Sequence, residues 1–132
     1  MTPELTMLGC TLVLALVQIL LPALFRTRET GTAYNVSARD GDGPPVGKIT
    51  GRLQRAQANL FETLPLFAAA VLIAHVTAQE SALTLYGAAL YLAARVLYLP
   101  LYAFGVPVVR TLVWCVSIAG LLMIFWAILL PS

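Results

Sequence analysis

Four apolar stretches dominate this chain, each about as long as a helix must be to cross ~30 Å of hydrocarbon at ~1.5 Å per residue. They run from Leu5 to Phe25, Leu60 to Ala78, Ala82 to Ala103 and Val108 to Leu130. The second has a polar helical approach beginning near Lys48, so its span is taken as residues 55–78. Of 132 residues, 60% are hydrophobic and 11% charged, whereas soluble domains carry about a quarter charged residues. That balance excludes disorder, a collagen-like rod and a disulfide scaffold. The net charge of +2 is too small to point to nucleic acid. Cys10 and Cys115 lie inside apolar runs without metal-ligand spacing and read as small packing residues; no metal site is expected. The fold expected is all-α: one integral membrane four-helix bundle over residues 1–132, with left-handed packing.

Glu4 rather than a basic segment precedes the first run, and no small-residue cleavage pattern follows it, so it is expected to be a retained span. Gln79-Glu80-Ser81 and Gly105-Val106-Pro107 make joints short enough to set neighbouring helices antiparallel. The one long connection, 27–47, is rich in Gly and Pro and is expected to be a mobile loop. All eight basic residues (Arg26, Arg28, Arg39, Lys48, Arg52, Arg55, Arg95, Arg110) lie on the side of that loop or in the membrane half facing it. The positive-inside rule then makes loop 27–47 cytoplasmic and sends both termini to the opposite side, the periplasm if the membrane is a bacterial inner membrane. On a cytoplasmic loop the sequon at Asn35 carries no meaning.

Hydrophobicity cannot explain a set of polar residues inside the spans. Arg52, Arg55, Asn59 and Glu62 follow steps of three, four and three, placing them within a sector of roughly 80° on one helix face. Gln57 lies off that stripe and would point to a neighbouring helix or subunit. Tyr91, Arg95, Tyr98 and Tyr102 follow steps of four, three and four, in a sector of roughly 60°. The last span opens with Pro107 and carries Arg110 in its first turn. Tyr91 and Tyr102 could instead belong to an interfacial belt, Trp114 and Trp126 suit core or interface, and His75 lies away from the stripe. Pro65 and Pro100 interrupt helical bonding, while Gly87, Ala88-Ala89 and Ala68-Ala69-Ala70 suit close helix contacts.

A charged side chain at mid-bilayer costs on the order of 2.5–3.5 kcal/mol. Arg55, Glu62, Arg95 and Arg110 must therefore pair with one another or line a wet cavity. Ion pairs can be simple glue between helices, but one Glu cannot neutralise several Arg. The surplus of positive charge asks for an anionic guest.

The segment Arg52-Leu-Gln-Arg55-Ala-Gln-Ala-Asn59-Leu-Phe-Glu62-Thr-Leu-Pro-Leu-Phe67 resembles the second-helix signature of the MAPEG family, the membrane-associated proteins of eicosanoid and glutathione metabolism. Arg95-Val-Leu-Tyr98-Leu-Pro-Leu-Tyr102, followed by Arg110, is similar to that family's third-helix pattern. The resemblance covers nearly the whole chain. It implies a homotrimer of four-helix bundles that binds glutathione between subunits near the cytoplasmic side. Arg55 would meet a glutathione carboxylate, Asn59 and Glu62 would hold the γ-glutamyl end, and Gln57 would reach in from the adjacent subunit. Arg52 and Arg95 would join this binding set, Tyr98 and Tyr102 would line the tripeptide, and Arg26 or Arg28 would supply the basic residue at the end of the first span. Arg110 would face the sulfur as the catalytic residue. Thr63 stands where leukotriene-synthase-like members carry tyrosine, and the Tyr102-to-Arg110 spacing differs by about a residue from that branch. The chain therefore looks closer to bacterial members.

The chemistry implied is thiol activation with glutathione as cosubstrate and no metal. A free thiol has a pKa near ~8.5, and a nearby guanidinium in a poorly solvated pocket favours the thiolate. Lowering that pKa by about two units takes ~2.7 kcal/mol. The thiolate would attack a lipophilic electrophile arriving from the bilayer, as a transferase or peroxidase. Two other readings stand beside it: a non-catalytic binding or scaffold protein of the same fold, and a small four-helix transporter using Glu62 as its membrane carboxylate.

Overall fold

The computed structural model describes residues 1–39, 41 and 43–130; positions 40 and 42 of the 27–47 connection, and the last two of the 1–132 domain, lie outside the described residues. The helices are α1 (Pro3–Thr30), α2 (Thr32–Val36), α3 (Lys48–Val76), α4 (Ala82–Ala103) and α5 (Pro107–Leu129). All but the short α2 are long and apolar enough to cross a membrane, and they contain the four apolar runs except Thr77 and Ala78 at the end of the second and Leu130 at the end of the fourth. Their ends follow local chemistry. Thr2 caps α1 by accepting the Leu5 N–H, with Pro3 in the first turn. Ser81 and Thr84 form a capping box at the start of α4. Gly105, at φ 72°, turns the chain from α4 into α5 where Pro107 occupies the first turn.

The buried positions of α1 are Glu4, Leu8, Thr11, Ala15, Gln18 and Pro22. Their alternation of four and three steps is the seven-residue repeat of left-handed helix packing. Against them α3 sets Leu60, Phe67, Ala70 and Val71, and the same core takes in Ala88 and Tyr91 of α4 and Leu121 and Ile124 of α5. The Tyr91 ring stacks on Phe67 at 4.1 Å, and its hydroxyl lies 2.8 Å from the Thr63 hydroxyl. Tyr91 is therefore a core residue with its polar end satisfied, not part of an interfacial belt. Helices α4 and α5 touch backbone to backbone. A Cβ on Gly87 would sit 2.7 Å from the Gly120 carbonyl oxygen, and one on Gly120 would sit 2.5 Å from that of Gly87. Close approach of this kind replaces the missing hydrophobic force between helices in lipid.

The two ends of the bundle differ. At the terminal end, the Thr2 hydroxyl donates to Glu80 at 2.6 Å, and Glu80 also meets His75 at 3.3 Å. Buried Glu4 accepts the Thr84 hydroxyl at 2.8 Å, tying the N-terminus to the start of α4. At the opposite end, side-chain bonds tie the described ends of the 27–47 connection to the helices. Helix α1 runs on to Thr30, and Glu29 accepts the Gly47 N–H at 3.1 Å and the Thr50 hydroxyl at 2.6 Å. Arg26 pairs with Glu29 at 2.9 Å and donates to the Pro44 carbonyl at 2.6 Å. Asn35 bonds back to Thr27, and Tyr34 reaches the Gly41 carbonyl. The Glu29 carboxylate thereby fastens the end of α1 to the start of α3, where it satisfies an orphan backbone donor.

These contacts make the glycine pair decisive for packing. Gly120→Ala should cost about 2 kcal/mol, since backbone cannot yield as a side chain would. Gly9→Ala, where a new Cβ meets nothing within 4 Å, should cost nothing. Thermal unfolding of the detergent-solubilised protein reads the difference.

Candidate functional site

The polar stripe of α3 sits one residue before the buried positions of that helix: Arg52 precedes Leu53, Arg55 precedes Ala56, Asn59 precedes Leu60 and Glu62 precedes Thr63. One residue is about 100° of rotation, so the stripe lies on the flank of α3 rather than in the core. Arg55 and Glu62 are exposed on the single chain, while Arg52 and Asn59 are half-buried. The α4 stripe instead points inward, with Tyr91, Arg95 and Tyr98 buried and Tyr102 half-buried.

Where these faces meet, a cleft of about 250 Å³ is lined by Asn59, Tyr98, Tyr102, Arg110, Thr111 and Trp114. Arg110 lies over the Tyr102 ring, 4.6 Å from its centroid, and Arg55 approaches the same ring at 5.9 Å. The Tyr98 and Tyr102 rings are 5.6 Å apart and tilted by 60°. Behind this wall Arg95 is fully buried (0% exposed), stacked on Tyr98 at 4.3 Å and donating from Nη1 to the Asn59 Oδ1 at 2.8 Å. Its Nε and Nη2 have no hydrogen-bond partner among the described residues. A cation over an aromatic face recovers part of the solvation it has lost.

The structure thus gathers Asn59, Tyr98, Tyr102 and Arg110 at one cleft, with Arg55 beside Tyr102. It does not bring the other expected residues onto that wall. Arg95 is sealed behind it, so it acts on the cleft through Asn59 and Tyr98. Arg52 donates to the Ala103 carbonyl at 3.3 Å and closes the C-terminal end of α4. It crowds the turn there, since a Cβ on Gly105 would sit 2.8 Å from its Cζ. Arg28 is exposed at the end of α1, 5.5 Å from the Phe25 ring. Gln57 is half-buried on the other side of α3. Of the two arrangements open to the intramembrane charges, pairing or lining a cavity, no ion pair of Glu62 with an arginine occurs among the described residues. Among the described residues the ion pairs are Arg26 with Glu29 and His75 with Glu80. Glu62 points off the flank while Arg95 points into the core, so the two cannot meet head-on. Thr111 and Trp114 are additions to the site; Trp114 lies four residues beyond Arg110 on the same face of α5, a spacing that marks it.

The model of the MAPEG family matches residues 7–130. The chain belongs to the MAPEG family. Together with four helices able to cross a membrane, this makes it an integral membrane protein of the glutathione and eicosanoid metabolism family. No curated protein and no solved structure matches it. Of the residues that carried the MAPEG resemblance in α3 and α4, Asn59, Tyr98 and Tyr102 line the cationic cleft.

Arg95 and Asn59 should behave as a unit. Asn59→Leu strips the buried guanidinium of its hydrogen bond and should cost about 1–3 kcal/mol. Arg95→Met, which removes the charge and fills the space, should change stability by less than about 1 kcal/mol. A double-mutant cycle by thermal unfolding should show the double variant more stable than Asn59→Leu alone.

Proposed function

We propose that this MAPEG protein is a glutathione-dependent transferase or peroxidase that forms the thiolate in the cleft and directs it at lipophilic electrophiles from the bilayer. The observation that carries this reading is electrostatic. Three guanidinium groups, Arg55, Arg95 and Arg110, surround two tyrosine rings, and none of them is ion-paired with a carboxylate among the described residues. Such a surplus in a weakly solvated place favours an anionic ligand. Glutathione brings two carboxylates and a thiol that becomes anionic on ionisation.

Arg110 takes the sulfur role, because it is the guanidinium that lines the cleft directly. Asn59, Tyr98 and Tyr102 supply an amide and two hydroxyls for the peptide. Arg55 joins the same cleft beside Tyr102, and Gln57, on the other side of α3, would reach the cleft of a neighbouring copy of the chain. About 21 Å of helix, at ~1.5 Å per residue, separates Glu62 from the end of α3 at Val76, which places its carboxylate within the hydrocarbon. Leaving Arg55 and Glu62 against lipid would cost several kcal/mol. A homotrimer that buries these flanks at its subunit boundaries removes that cost and puts Glu62 where it can take the γ-glutamyl ammonium. Arg28 reaches the same boundary from the end of α1. The distribution of basic residues supports a cytoplasmic 27–47 connection, and on that reading glutathione enters from that side.

A second reading follows from the stacking of Arg110 on Tyr102, which could hold the guanidinium away from a sulfur. In that case the protein binds glutathione without activating it. Ultraviolet detection of thiolate in the purified protein separates the two. Arg110→Ala should abolish thiolate at neutral pH and leave binding within a few-fold, whereas Arg55→Ala and Glu62→Ala should weaken binding by on the order of tenfold or more. Thiolate and turnover unaltered in Arg110→Ala across pH would remove Arg110 from the mechanism.

A further inference from the structure

The terminal end of the bundle, remote from the cationic cleft, carries a second hollow with graded chemistry. A cleft of about 520 Å³ is lined by the α3–α4 turn, including Gln79, Glu80 and Ser81, and by Trp126 and Leu130 of α5. A second cleft of about 430 Å³ is lined only by Leu83, Ala119, Leu122, Met123 and Trp126. Leu83 and Trp126 belong to both, so the two form one groove on the outer face of α4 and α5. Its mouth is polar and lies where α3 has ended and α4 begins; its floor is apolar and descends along α5. Trp126, 62% exposed and one turn from the end of α5, stands at the depth where indole rings mark the membrane–water boundary. A groove wet at the interface and dry below it has the shape of an amphiphile.

The charge at the mouth selects among amphiphiles. All eight Arg and Lys residues lie toward the opposite end of the bundle, and among the described residues no Arg, Lys or amino terminus pairs with Glu80. The Glu80 carboxylate accepts the Thr2 hydroxyl at 2.6 Å and meets His75 at 3.3 Å. Those bonds, the Thr2 hydroxyl first, hold its pKa below the ordinary carboxylate value, so it stays ionised at neutral pH. Each carboxylate oxygen has a second acceptor site free. Glu4, the other acid at this end, is buried on Thr84. An anionic headgroup would be repelled here, and a quaternary ammonium has no N–H to donate.

We infer that this groove binds one phospholipid with a primary-ammonium headgroup, the ammonium donating to Glu80 and an acyl chain lying along Leu83, Ala119, Met123 and Trp126. The site is separate from the glutathione cleft and stands or falls independently of it. Trp114→Phe leaves Trp126 as the sole tryptophan of the chain. In phosphatidylcholine vesicles holding that variant, small fractions of phosphatidylethanolamine, phosphatidylglycerol or phosphatidylcholine with brominated acyl chains are compared as quenchers of Trp126. Brominated phosphatidylethanolamine should quench about threefold more per mole than the other two and should saturate. Glu80→Gln should reduce it to the level of phosphatidylcholine, and Ala119→Phe, on the outer face, should reduce the saturable part by filling the floor. Equal quenching by all three lipids, preference for phosphatidylglycerol, or a preference that survives Glu80→Gln overturns the assignment. So does absence of quenching by any lipid, the result expected if a second copy of the chain covers Trp126. Native mass spectrometry of the unsubstituted protein gives a second reading, in which retained phosphatidylethanolamine should outnumber phosphatidylglycerol.

Discussion

A guanidinium in the middle of an apolar bundle has few ways to exist, and Arg95 uses two of them. It gives one hydrogen bond to Asn59 and lays its flat face on Tyr98. An amide oxygen and an aromatic ring soften the loss of water without cancelling the charge. The positive potential therefore survives into the cleft on the other side of Tyr98, where Arg110 and Arg55 add to it through Tyr102. Tyr98 and Tyr102 separate like charges that could not otherwise share so small a space. The core geometry follows from the same demand, since α4 can turn Arg95 inward only where α3 presents Asn59 at the matching height.

The one-residue offset on α3 divides labour between the inside and the outside of the bundle. Leu53, Ala56, Leu60 and Thr63 pack the core, while the residue before each carries the polar chemistry. Asn59 sits at the seam and serves both, bonding Arg95 behind and lining the cleft in front. Arg55 and Glu62 are left on the flank, where only another protein surface or an aqueous pocket is a tolerable neighbour.

Much of this architecture is legible before any coordinates. Apolar length marks the four spans, and Ser81, Gly105 and Pro107 mark where they stop and start. The regular spacing of Asn59, Tyr98 and Tyr102 identifies the cleft, because helix periodicity reports directly which residues share a face. Periodicity does not report which way that face turns, so it leaves open whether Glu62 pairs or lines a cavity, whereas the structure exposes it on the flank of α3. Charge alone cannot separate Arg52, which closes α4, from Arg110, which lines the cleft. The fastening of α1 to α3 is invisible for another reason: Glu29 reaches Gly47 and Thr50 across many residues of Gly- and Pro-rich chain, a contact with no local signature. Gly120 likewise looks like an ordinary glycine until Gly87 is placed against it.

The central claim is that unneutralised cationic surface between α3, α4 and α5 exists to hold an acidic thiol peptide. Titration calorimetry of the folded, detergent-solubilised protein with glutathione, repeated over a series of salt concentrations, tests it most directly. The account predicts saturable heat and an affinity that falls steadily as salt rises, because screening weakens attraction between the arginines and the carboxylates. A well-folded preparation that gives no heat, or binding indifferent to salt, would contradict it.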